Sequence, residues 1–223
     1  MCQFTQNTAH DRRPVSPSLS YLYSCAVLMN CLPPAGSTVV HPHMQALASD
    51  QPFNMLAEGD QKAEEYRKAN GRNYWREIIT EEKKRKERYL GSLGSSDWVT
   101  VYSPTGSDEA WGIACDVSDL TRASGSIWSG LTDGLSRVSR FYDDMGIRSF
   151  NVAIFSSPFG RDSPHGSVVL EVASRYGFQD RNVNDVWGLR YFLDESEVFD
   201  SPEDVVAELR KYFASIEREA IPF

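Results

Sequence analysis

The chain has 223 residues, 41% hydrophobic and 24% charged, which is enough to bury a substantial core and excludes wholesale disorder. Acidic side chains outnumber basic ones, 31 to 23, for a net charge of −8; this argues against a surface dedicated to a nucleic-acid backbone, which needs a basic face. No apolar run reaches the about 18–20 residues of a membrane-spanning helix, and four cysteines without a CxxC pair fit a reducing, cytoplasmic compartment better than a disulfide framework.

Residues 1–20 are polar and aperiodic and read as a disordered leader. A second reading has the chain beginning in the middle of a domain. Residues 21–30 carry aromatic and β-branched side chains and read as a strand, followed by a turn at Pro33-Pro34-Ala35-Gly36-Ser37. A second strand is expected from Val39 to Leu47. Residues 57–69 and 74–90 read as helices, and the charged run from Glu81 to Arg88 as a solvated helix face laced with ion pairs. Residues 91–96 break the helix. Strands at 98–102 and 111–115 flank the turn at 104–107. Residues 126–145 form the best amphipathic helix, with Ile127, Leu131, Leu135, Val138 and Tyr142 at three- and four-residue steps and Gly146 just past its end.

Strands at 149–155 and 167–172 enclose a loop at 157–166, and Ser201-Pro202-Glu203-Asp204 opens a last helix with a serine cap, proline at the first position and acids in the first turn. Trp98, Trp111, Trp128 and Trp187 read as packing residues. The order of elements is α+β with mostly antiparallel pairing.

The chemistry concentrates in Gly36-Ser37-Thr38-Val39-Val40-His41-Pro42-His43-Met44-Gln45, which holds two of the chain's four histidines. On a strand, His41, His43 and Gln45 would project from one face. Pro42 between them cannot donate to a ladder, so the segment belongs at a sheet edge or a bulge. Gly36 allows close backbone approach, and Ser37 and Thr38 offer hydroxyl donors. Two imidazoles and an amide on one face suit either metal ligation or phosphoryl chemistry, in which a neutral imidazole attacks phosphorus and an amide holds the non-bridging oxygens.

Asn30, then Gly36-Ser-Thr, then His41-Pro-His-x-Gln45 resembles the active-site segment of the galactose-1-phosphate uridylyltransferases, members of the histidine-triad (HIT-like) superfamily. The resemblance implies an antiparallel HIT-like sheet with flanking helices and a nucleotidyltransferase that passes UMP from UDP-glucose to a sugar 1-phosphate. By that resemblance His43 is the nucleophile, Gln45 holds the phosphate oxygens, Asn30, Gly36, Ser37 and Thr38 contact the phosphates, and His41 matches a position that ligates a structural zinc. It also implies a homodimer, with nucleotide sugars and sugar 1-phosphates as partners and neither nucleic acid nor membrane.

Only forty residues precede His41, whereas such enzymes carry a long segment there. The expected organisation is therefore a leader at 1–20, the C-terminal part of a first HIT-like unit at 21–95, and a complete second unit at 96–223. Leu170-Glu171-Val172-Ala173 stands where such enzymes have a His-x-His strand, and His165 reads as a loop histidine without a role. Arg148, Arg161 and Arg175 are weaker candidates for sugar-phosphate contacts. Two further readings stand beside the transferase: a truncated, non-catalytic nucleotide- or phosphosugar-binding relative, and a phosphorylase or hydrolase of dinucleoside polyphosphates.

Overall fold

The structure, a computed structural model, describes residues 23–38, 40–41, 43–158, 160–175, 193, 195–196 and 198–214. The leader at 1–20 and Trp187 lie outside them. In chain order the elements are β1 (Ser24–Cys31), β2 (Gln45–Ser49), α1 (Asn54–Asn70), α2 (Tyr74–Arg85), β3 (Tyr89–Leu93), β4 (Ser96–Thr100), β5 (Ser107–Ala114), α3 (Gly125–Asp144), β6 (Phe150–Phe155), β7 (Val168–Ser174) and α4 (Pro202–Ala214). Single turns of 3-10 helix occur at Pro33–Ala35 and Leu120–Arg122. All seven strands join one sheet in the order β2-β1-β6-β7-β5-β4-β3, and every pairing is antiparallel. This is the α+β sheet with flanking helices that the sequence implied. No helix among the described residues is long and apolar enough to cross a membrane.

The sheet's two faces differ because its side chains alternate. One face is sealed. Trp98, Ala110, Leu170, Val172, Val152 and Ile154 point into a core closed by α3 and α4, through Leu131, Val138, Tyr142, Val206 and Leu209. The opposite face has a smaller core of Ile79, Val99, Ile113 and Val169, with Trp75, Trp111 and Phe155 packed against it. On that face the middle of β6 and β7 is only half-buried at Asn151, Ala153, Glu171 and Ala173, while their alternates are buried.

Helix α3 sits close to the sheet because Gly130 and Gly134 lie on its inner side. A Cβ at Gly134 would stand 2.0 Å from the Trp98 ring, and one at Gly130 would stand 1.9 Å from the Leu93 carbonyl oxygen. Trp98 is wholly buried and its indole N–H donates to the Gly130 carbonyl at 3.2 Å. The helix starts on the Ser124 hydroxyl, which accepts from Ile127 N, and stops before Gly146, whose φ is 75°. Leu135, expected on its buried face, is only partly covered. Helix α4 starts as expected, with Ser201 Oγ accepting from Asp204 N at 3.2 Å.

Two expectations change. The helix expected over 74–90 ends at Arg85, with Lys86 in the left-handed conformation at φ 56°, and Tyr89–Leu93 forms edge strand β3. The charged run is therefore not one solvated face. Glu81 pairs with Lys84 and Arg85 on the surface, but Glu82 and Arg88 are buried against each other at 2.6 Å, and Arg88 also reaches Glu203 at the start of α4 at 2.7 Å. Burying a guanidinium requires paired carboxylates, and this one pins the end of α2 to α4.

The close approach of α3 is testable. Gly134→Ala is expected to destabilise the protein by about 1–3 kcal/mol through overpacking against Trp98, despite alanine's advantage of about 1 kcal/mol as a helix former. Urea unfolding measures it, and a more stable variant would contradict the packing described.

Candidate functional site

The site segment begins at the end of β1. Asn30 is half-buried and faces Asn151 of β6 in register. The chain then turns through Leu32 and the Pro33–Ala35 turn, where Ala35 N and Ser37 N both donate to the Leu32 carbonyl, at 3.1 and 3.2 Å. Gly36 closes the turn at φ 89°, a conformation that favours glycine. Ser37 is buried and Thr38 exposed.

The strand expected from Val39 begins only at Gln45; Val40, His41, His43 and Met44 precede it in non-strand backbone, and Val39 and Pro42 lie outside the described residues. A proline lacks the N–H a ladder needs, and His43 turns its ring back on its own segment. The two imidazoles still meet, with ring centroids 5.0 Å apart and tilted by 39°. They meet through a local turn and not by sharing a strand face. The expected edge placement holds among the described residues, where β2 is the outermost strand on its side of the sheet.

His43 Nδ1 lies 3.0 Å from the His41 carbonyl oxygen. A carbonyl only accepts, so Nδ1 carries the proton and donates, and in the neutral ring the lone pair sits on Nε2. Gln45 opens β2 directly opposite Leu28. Cross-strand partners share a face, and so do Leu28 and Asn30. Gln45, Asn30 and Asn151 therefore lie on the half-buried face.

Asn151 was not legible as a site residue, although an asparagine inside a strand is unusual enough to be a signal. Its Nδ2 donates to Asn30 Oδ1 at 2.7 Å and to the Ala35 carbonyl at 2.9 Å, and its Oδ1 accepts from Arg175 Nη1 at 3.1 Å. Of the other arginines named from sequence, Arg148 pairs with Asp143 and Arg161 lies over the Tyr23 ring. His165, read as a loop histidine without a role, is largely buried with Nε2 3.4 Å from Asp60 Oδ1, which also accepts from Ser157 Oγ at 2.7 Å. It ties the 157–166 loop to α1.

Farther along the same face, Glu109 is 3% exposed. It accepts from Thr105 N, Gly106 N and the Trp111 indole at 2.7, 2.8 and 2.7 Å and shares a hydrogen bond with Glu171. Burial pushes its carboxyl above the ordinary 4.5, against the pull of those donors. A cleft of about 360 Å³ between α2 and β4, lined by Tyr66, Tyr74, Tyr102 and Trp111, contains none of the motif residues.

Cysteine chemistry does not compete with the imidazole among the described residues. Burial raises the thiols of Cys25 and Cys31 and pushes that of Cys115 up to about 11, so all three stay protonated and poorly nucleophilic at neutral pH. The described residues contain no group of three or more His, Cys, Asp or Glu able to hold a metal ion. A structural zinc takes four ligands, and His41 has no such set among the described residues.

No family model matches the chain. An Archaeoglobus fulgidus protein, described only as uncharacterized, is 29% identical over 194 residues, covering 87% of this chain and 58% of that protein. Among solved structures, a uridylyltransferase superposes with a TM-score of 0.78 at 14% identity, over 89% of this chain and 63% of its own. The fold is that of the uridylyltransferases. The same HIT-like fold recurs in a GalT-like protein from Arabidopsis thaliana (TM-score 0.72, 18% identity, 86% of this chain and 62% of that one). It recurs again in an ADP-glucose phosphorylase from Arabidopsis thaliana with bound ADP-glucose (TM-score 0.72, 17% identity, 85% and 59%). This chain spans less than two thirds of the length of each of these proteins.

The raised carboxyl gives a pH signature on the HIT-like sheet. The folded state holds the Glu109 proton more tightly than the unfolded chain, so this group's contribution is full below pH 4.5 and is lost as pH rises through the folded value. The stability of Glu109→Gln relative to wild type should therefore improve as pH rises from 4.5 to neutral, as read by urea midpoints. A flat difference would contradict the raised carboxyl.

Proposed function

We propose that this chain carries the covalent centre of a nucleotidyltransferase acting on a nucleotide sugar, with His43 as nucleophile. The observation that carries the proposal is the bond from His43 Nδ1 to the His41 carbonyl, which leaves the Nε2 lone pair for attack. In the reaction Nε2 attacks the α-phosphorus and a P–N bond forms. The bond from that phosphorus to the bridging oxygen breaks, and the sugar 1-phosphate leaves with the electron pair. A phosphate oxygen of a second sugar 1-phosphate then attacks the same phosphorus, breaks the P–N bond and carries off the nucleotidyl group. Covalent catalysis of this kind divides one displacement into two.

Gln45, on the same face as Asn30, supplies amide donors to the non-bridging oxygens, and Asn30 with the Gly36–Thr38 turn cradles the phosphates. The likeness to a uridylyltransferase and to an ADP-glucose phosphorylase supports a nucleotide sugar as donor, with UDP-glucose the first choice from the motif. A homodimer belongs to the same reading.

One observation favours a second reading. Both faces of edge strand β2 are exposed over Gln45–Ala48, with the Gln45 side chain open to solvent. A non-catalytic nucleotide- or phosphosugar-binding module fits this open edge as well.

Intact mass after brief incubation with UDP-glucose or ADP-glucose separates the two. The transferase reading expects a nucleotidyl adduct on wild type, none on His43→Ala, and adduct formation slowed about a hundredfold in Gln45→Ala. A folded wild type that gains no adduct from either donor would leave the binding module.

A further inference from the structure

We infer that Asn151 is a positioning residue that locks the Asn30 amide with its N–H groups facing the ligand. The inference deepens the proposed function and rests on that reading for what the ligand is. It starts from partners that can each play only one hydrogen-bonding role. The Ala35 carbonyl only accepts, so the Asn151 atom 2.9 Å from it must be the amide nitrogen. A guanidinium only donates, so the atom 3.1 Å from Arg175 Nη1 must be the amide oxygen. The two ends of Asn151 thus fix each other's assignment, which settles the usual ambiguity of a side-chain amide.

The second N–H of Asn151 then has to meet an acceptor on Asn30, 2.7 Å away, and only Oδ1 qualifies. Asn30 is left with its own nitrogen turned away from Asn151, and that nitrogen makes no hydrogen bond among the described residues. Two N–H donors therefore stand on the half-buried face beside the turn that carries Gly36, Ser37 and Thr38. Were the Asn30 amide reversed, an oxygen would face the phosphate and repel it. Through Ala35, the same Asn151 nitrogen also fixes that turn against β6. Both N–H groups of Asn151 are spent on Asn30 and Ala35, so it acts through its neighbours and not on the substrate. Arg175, just past β7, sets the polarity of the whole chain of amides.

Two measurements on the full chain test this. The first is side-chain amide exchange by NMR on the free protein: the Asn151 NH2 should exchange slowly and the Asn30 NH2 at the rate of an accessible amide. The second is a double-mutant cycle read as affinity for UDP-glucose and ADP-glucose by calorimetry. Asn30→Ala should weaken binding roughly tenfold, as expected for loss of hydrogen bonds to a charged group. Asn151→Leu, uncharged and similar in shape, should weaken it several-fold in wild type and less than twofold in the Asn30→Ala background. An equal loss in both backgrounds would mean that Asn151 merely supports the fold, and the inference would fall. A protected Asn30 NH2 beside a freely exchanging Asn151 NH2 would overturn it as well. Should the wild type bind neither nucleotide sugar, the proposed function fails, and the exchange rates alone decide whether Asn151 orients Asn30.

Discussion

The packing of α3 onto the sheet is the constraint on which the rest of the molecule depends. Gly130 and Gly134 remove the side chains that would hold the helix away from Trp98 and Leu93, and the tryptophan fills the space to complete burial. With α3 and α4 closing that face, the alternating pleat sends every other side chain of β6 and β7 to the opposite face. There Asn151, Ala153, Glu171 and Ala173 remain half-buried in the centre of the sheet. Antiparallel sheets commonly leave one face open to water, and here that face carries the polar Asn151 and Glu171.

The chemistry at the edge of that face is set by main-chain carbonyls as much as by side chains. The His41 carbonyl selects the His43 tautomer, and the Ala35 carbonyl anchors the amide chain that runs from Arg175 through Asn151 to Asn30. These contacts come from the segments on either side of the Gly36 turn, so the turn's geometry governs both the His43 imidazole and the Asn30 amide. The buried Glu109, bonded to Glu171 on the same face, is a separate feature, held by the loop before β5.

Much of this was legible in the sequence where one local rule dominated. The α3 periodicity and the Ser201 cap each rest on a local sequence pattern alone. Strand β3 was missed because Lys83–Arg88 extends a helical charge pattern, and the stop at Lys86 depends on a left-handed backbone that no glycine announces. Arg88 looked like a surface charge because its partners Glu82 and Glu203 are brought together only by the packing of α2 and α4. The strand through His41 and His43 was expected from alternation, but the short-range bond of His43 to its own segment takes precedence. Asn151 has no local signature beyond its residue type; its role exists only once β1 and β6 are paired.

Backbone amide hydrogen exchange with and without a nucleotide sugar tests the central claim most directly, because it reports where the ligand sits without requiring turnover. With UDP-glucose or ADP-glucose present, protection should rise at residues 30–38, 43–45 and 151–153 and stay unchanged on α3 and α4. Protection confined to the cleft between α2 and β4, or to the α3 side of the sheet, would contradict the account.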